Sequence, residues 1–128
     1  AFLRAAKAAG TGDLDAPTTA SIIEAALEGI TTRGKATEGE KTMVDAWAPA
    51  ARAARHAADA GHNPAEVLRA AAEAAAEGAE ATVPMVATKG RASYLGERSV
   101  GHKDPGAAST ALFIAAAADA AETAGQET

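Results

Sequence analysis

The chain has 128 residues, the size of one domain spanning 1–128, and 40 of them are alanine against 3% aromatic residues. Alanine favours helix and fills little core volume, which predicts closely packed helices and argues against a β-sandwich or barrel. With no cysteine and a formal net charge of −5, disulfide scaffolds, zinc ribbons, thiol nucleophiles and general nucleic-acid binding all drop out.

In chain order, Ala1-Phe2-Leu3-Arg4-Ala5-Ala6-Lys7 reads as the interior of a helix with no capping residue before it, so a preceding segment is expected. Arg4 and Lys7 interrupt this short apolar start, which argues against a signal peptide. No later run reaches the ~18–20 apolar residues that a bilayer span needs. A soluble, cytoplasmic protein with no membrane or nucleic-acid partner is the expectation. After a loop over Gly10–Pro17, a helix is predicted over 18–33, with Ile22, Ile23, Ala26, Leu27 and Ile30 as its apolar stripe. Gly34 is placed to be its C-terminal cap. The next helix is predicted over 41–60, with Met43, Trp47, Ala51, Ala54 and Ala58 on its buried side and Pro49 imposing a bend or an early break.

Asn63-Pro64 combines a capping side chain with proline at the first helical position, and opens a helix to about Thr82. Val67, Leu68, Ala71, Ala75 and Ala79 mark its inward face. Asp104-Pro105 repeats the same start signal for a last helix to about Ala124, after which Gly125–Thr128 is expected to fray. Helices joined mostly by short connections predict an all-α fold, an antiparallel helical bundle. The alanine-rich runs keep a helical period and read as packing surfaces.

Thr88–Gly106 differs in character. A loop of this length is usually functional or disordered, and this one lacks the repetitive bias of a linker. Four glycines supply backbone freedom, Lys89, Arg91 and Arg98 supply cationic donors, and the segment ends on the helix start at Asp104-Pro105-Gly106. Helix N-termini present free amides and a positive dipole end, so the combination suits an anionic, phosphate-bearing ligand. A surface loop shaped by its own salt bridges, for example Glu97 with Arg91 or Arg98, is the structural alternative.

The same residues carry a resemblance. Gly90-Arg91-Ala92-Ser93-Tyr94-Leu95-Gly96-Glu97-Arg98-Ser99-Val100-Gly101-His102-Lys103-Asp104-Pro105-Gly106 resembles the hallmark segment of the dihydroxyacetone (glycerone) kinase nucleotide-binding L domain. Gly39-Glu40-Lys41-Thr42-Met43-Val44-Asp45-Ala46-Trp47 is similar to that family's G-D-K-T-M-x-D-x-W/L signature. The resemblance covers nearly the whole chain. It implies part of an eight-helix up-and-down barrel with ADP or ATP at one rim. The γ-phosphoryl group then passes to dihydroxyacetone held on a separate K domain or subunit, and some family members draw on a phosphotransferase-system phosphoryl donor. By similarity, Gly34 and Met43 contact the nucleotide from the first motif, and Arg91, Asp104, Pro105 and Gly106 contact it from the second.

The resemblance also implies Mg²⁺ bound by an acidic G-D-G-D-x-G loop that precedes the matched part, so no metal ligand and no catalytic residue is assigned within this chain. Gly12-Asp13-Leu14-Asp15 is rejected as a substitute, since it lacks the second glycine and runs into Pro17. The chain alone is expected to be inactive, with its open faces covered by preceding helices or by self-association. A non-catalytic helical module that docks a kinase subunit or regulator is the competing reading. His56 and His62 read as surface residues, His102 as ordering its loop, Trp47 as core, and Ser93 has no neighbouring base.

Overall fold

The computed structural model describes residues 14–88 and 91–127, without the side chains of 91–94, 126 and 127. The helix expected over Ala1–Lys7 lies outside that range. Four α-helices follow in order: α1 (Ala16–Gly34), α2 (Val44–Asp59), α3 (Pro64–Ala81) and α4 (Pro105–Glu127), with a 3-10 segment at Arg91–Ser99. The fold is all-α, as expected, and the described residues contain no strand. Helices α2 and α3 form the centre, α1 packs mainly on α2, α4 packs mainly on α3, and α1 and α4 do not touch. Ion pairs across the interfaces fix the direction of neighbours. Arg55, late in α2, forks onto Glu24 in the first half of α1, and Arg69, early in α3, forks onto Glu122 late in α4. Neighbouring helices are therefore antiparallel.

Alanine sets how near the helices come. Among the described residues, nineteen of the 25 buried apolar ones are alanine, and the large fully buried side chains are few, among them Ile23, Val44, Val67, Leu68 and Ile114. The closest approach is made by Gly78 of α3. A Cβ built there would stand 2.1 Å from the Asp45 carbonyl oxygen and 2.8 Å from Pro49 Cγ. Pro49 has no N–H to give Asp45, its helical acceptor one turn back, so that carbonyl is left free to face the bare Cα of α3. Of the bend or early break expected at Pro49, the break does not occur: α2 continues through it to Asp59. Trp47 is core, as expected, with its ring 6.5 Å from that of Phe113.

Local chemistry accounts for most helix ends. Asp15 caps α1 by accepting from the Thr18 amide at 2.9 Å, so its carboxylate serves the helix start. Asn63 and Glu66 form a reciprocal capping box at the start of α3. Several expectations need correction. The left-handed cap of α1 is Lys35 (φ 53°, ψ 29°), whereas Gly34 is the last helical residue. Helix α2 starts at Val44, because Lys41 adopts φ 61° and cannot continue a right-handed helix. Met43, placed on the buried side from sequence, is 41% exposed. Helix α4 runs to Glu127, past the end expected near Ala124.

Candidate functional site

One end of the bundle gathers the C-terminus of α1, the N-terminus of α2, the C-terminus of α3 and the N-terminus of α4. The loop 35–43 and the segment 82–104 cover this rim. The latter is not an irregular loop, since Arg91–Ser99 is helical on both sides of Gly96, whose φ of 55° and ψ of −129° break the run in two.

The rim is built from buried polar side chains acting on main-chain groups. Asp45, in the first turn of α2, accepts from Gly39 N at 2.6 Å and Thr42 N at 3.0 Å, folding the first motif back onto its own helix. Thr82 is fully buried. Its hydroxyl donates to the Ala79 carbonyl at 2.6 Å and accepts from Asp104 N at 2.9 Å, tying the end of α3 to the start of α4. Ser99 donates to the Gly96 carbonyl at 2.7 Å and accepts from Ala87 N at 2.9 Å. Gly101 N reaches the Val83 carbonyl at 2.7 Å. Lys41, 2% exposed, donates from Nζ to the carbonyls of Ser99 at 2.7 Å and Thr82 at 2.8 Å, with Met85 at 3.2 Å and Val83 at 3.3 Å.

Asp104 is the cap of α4. Its Oδ2 accepts from Ala107 N at 2.9 Å and its carbonyl from Ala108 N at 2.9 Å, while Pro105 follows at the first helical position. No protein acceptor takes the Gly106 amide among the described residues. Gly106 also stands against the start of α2, where a Cβ on it would meet Asp104 Oδ2 at 3.2 Å and Met43 Cβ at 3.4 Å. The two motifs, distant in sequence, therefore meet at Met43, Asp104 and Gly106. Two helix N-termini converge there, so their dipole ends favour an anion. Met43 offers an exposed, polarizable side chain beside them.

Of the six residues singled out from sequence, Met43, Asp104, Pro105 and Gly106 form this cluster. Gly34 is exposed at the same end, with nothing within 4 Å of its Cβ position. Arg91 opens the 3-10 segment, and its guanidinium lies outside the described residues. Glu97 and Arg98 are exposed and form no ion pair with each other. Sequence reasoning passed over Lys41, Asp45, Thr82 and Ser99, whose partners are distant in the chain. Their one local signal is the pair Lys41 and Asp45 bracketing Met43 in the first motif.

A family model described as the DAK2 domain matches residues 1–119. The chain belongs to that family. Among its relatives, the ADP-binding subunit DhaL of a PEP-dependent dihydroxyacetone kinase from Listeria innocua is 47% identical over 114 residues, covering 89% of this chain and 52% of the relative. The ADP-binding subunit DhaL of the Escherichia coli PEP-dependent dihydroxyacetone kinase is 45% identical over 87 residues, covering 68% of this chain and 41% of the relative. An L-erythrulose 1-kinase of Mycolicibacterium smegmatis is 42% identical over 106 residues, covering 83% of this chain and 18% of the relative. The chain spans about half the length of the two DhaL subunits. No helix among the described residues is long and apolar enough to cross a membrane.

Proposed function

We propose that this DAK2 chain supplies the nucleotide-binding rim of a dihydroxyacetone-type kinase, holding ADP or ATP at Met43, Arg91, Asp104, Pro105 and Gly106, with Gly34 at the edge. The observation that carries the reading is the meeting of the two motifs, with Met43 packed against Gly106 at the start of α4. The free Gly106 amide and the converging helix ends would face phosphate oxygens, Arg91 would add a charge-assisted donor, and Met43 would lie along the base. In this reading the phosphoryl group goes to dihydroxyacetone or a related short ketose on a separate K domain or subunit. A phosphotransferase-system donor would recharge the nucleotide where ADP is a fixed cofactor.

The described residues do not fit a magnesium site. No group of three or more acidic or histidine side chains is gathered among them, and the carboxylates of Asp15, Asp45 and Asp104 are occupied by main-chain amides. No metal-dependent step is assigned to them.

Titration calorimetry with Mg·ADP on a domain of the relatives' full length tests the reading. Arg91→Ala should weaken binding by about 1.5–3 kcal/mol, the scale of a hydrogen bond to a charged group. Arg98→Ala should act mainly through the order of its segment. If Arg91→Ala stays folded and binds ADP like its parent, the nucleotide site is misplaced; if the parent does not bind ADP, the docking-module reading takes over.

A further inference from the structure

Lys41 is the most unusual charge in the molecule. Its side chain is 2% exposed, and every acceptor its ammonium reaches among the described residues is a main-chain carbonyl. A buried ammonium is normally matched by a carboxylate, because removal from water is costly. Here Asp45, four residues on, is already occupied by the amides of Gly39 and Thr42. An ammonium has three hydrogens. Two short bonds, to Ser99 at 2.7 Å and Thr82 at 2.8 Å, leave the third shared between Met85 at 3.2 Å and Val83 at 3.3 Å.

The acceptors come from two places. Thr82, Val83 and Met85 follow directly on α3, whose C-terminal carbonyls carry the negative end of its dipole, and Ser99 ends the 3-10 segment. Carbonyl oxygens converging on one point at such distances can stand in for the hydration shell of a monovalent cation. Without a cation the same carbonyls would repel one another, and the segment 82–99 would lose the tie that holds its two ends together. Residues held by that tie also hold the rim, since Thr82 carries Asp104 N and Val83 carries Gly101 N.

We infer that Lys41 is a positioning residue whose ammonium serves as a built-in monovalent cation, closing a carbonyl cage that sets the hallmark segment and the start of α4 for ligand binding. The link to binding rests on the nucleotide reading above; the cage does not.

Hydrogen–deuterium exchange on the nucleotide-free chain separates the two. In Lys41→Ala the amides of Met85, Ala87, Gly101 and Asp104 should exchange faster by about tenfold or more, while those at the α2–α3 turn hold their protection. n-Propylammonium replaces the deleted atoms and should restore protection, whereas tetramethylammonium, which has no N–H, at equal ionic strength should not. Lys41→Met keeps the stem and loses the charge; it should loosen the same amides and resist rescue, and it carries the test if Lys41→Ala does not fold. Unchanged exchange at those four amides in folded Lys41→Met, or uniform loosening of the whole chain that the amine does not reverse, overturns the cage. In a domain of full length, the amine should also recover the Mg·ADP affinity that Lys41→Ala loses. If the parent binds no nucleotide while the exchange pattern holds, the nucleotide reading fails and the cage stands. If affinity is lost but not recovered although exchange is, the link to binding fails by itself.

Discussion

The two ends of this bundle are held together in different ways. At the end away from the rim, Asp15 caps α1 through Thr18, and Asn63 and Glu66 cap α3 through each other, so these caps span three residues, while the long-range contacts there are ion pairs on the helix faces, such as Arg69 with Glu122. At the rim, Lys41 reaches 41 to 58 residues along the chain, and Thr82 reaches 22 residues to Asp104. Local caps start helices wherever they occur. Distant contacts fix the relative placement of loops, which a binding rim needs and a plain turn does not. The rim uses its buried polar side chains to set main-chain geometry and leaves Met43 exposed beside Gly106.

The largest effect should come where the rim half of α2 lies against α3. Gly78→Val would place atoms inside the Asp45 carbonyl and Pro49, and it should lower unfolding free energy by about 3 kcal/mol in a urea titration, at the top of the overpacking range. A wild-type midpoint for Gly78→Val would mean that the helices are less tightly apposed than described. Thr82→Val should cost about 1–3 kcal/mol by leaving Asp104 N without its buried acceptor, and it should also weaken nucleotide binding.

Comparing caps at the two ends sharpens the contrast. Asp104→Ala and Asn63→Ala should each cost about 1 kcal/mol, but only Asp104→Ala should reduce Mg·ADP affinity in calorimetry. Equal affinities for the two variants would remove the functional distinction between the ends.

The smallest expected effect is the acid limb of stability. Hydrogen bonds hold the carboxyls of Glu24, from Arg55, and Glu66, from the Asn63 amide, below their ordinary value of 4.5. Their folded pKa values are depressed, so the stabilisation is present above the unfolded value and is lost as pH falls through the folded one. Melting temperature should therefore be flat from about pH 7 to pH 5 on account of these groups and fall below that, and Glu24→Gln with Glu66→Gln should flatten the fall. A double variant with the parent's acid limb would mean that other carboxylates govern it.

The helices were legible because their signals are local. Asn63-Pro64 and Asp104-Pro105 each carry a capping side chain and a preset φ, and both open helices where expected. The start of α2, expected at Lys41, was not legible because Lys41 is turned out of the helix toward partners 41 to 58 residues away. Lys41 lies before the helix in a left-handed conformation, and its side chain and that of Asp45 serve different partners. The continuation of α2 through Pro49 was not legible locally, because nothing near it in sequence shows Gly78 opposite the Asp45 carbonyl. The site residues of the second motif are adjacent in sequence and could be read together, whereas Met43 joins them through packing alone.

The sequence by itself determined four helices, their alanine faces and the two motifs, because capping, periodicity and chain stiffness act over a few residues. It also placed glycines, basic residues and a helix start together just before and at Asp104-Pro105-Gly106. Tertiary structure alone decided that the start of α2 meets the start of α4, that Gly78 replaces the hydrogen bond Pro49 cannot make with a backbone contact, and that Lys41 turns inward to four carbonyls. Those outcomes depend on which helices lie side by side and how closely, and buried polar groups must then find partners among whatever main-chain atoms that packing brings near.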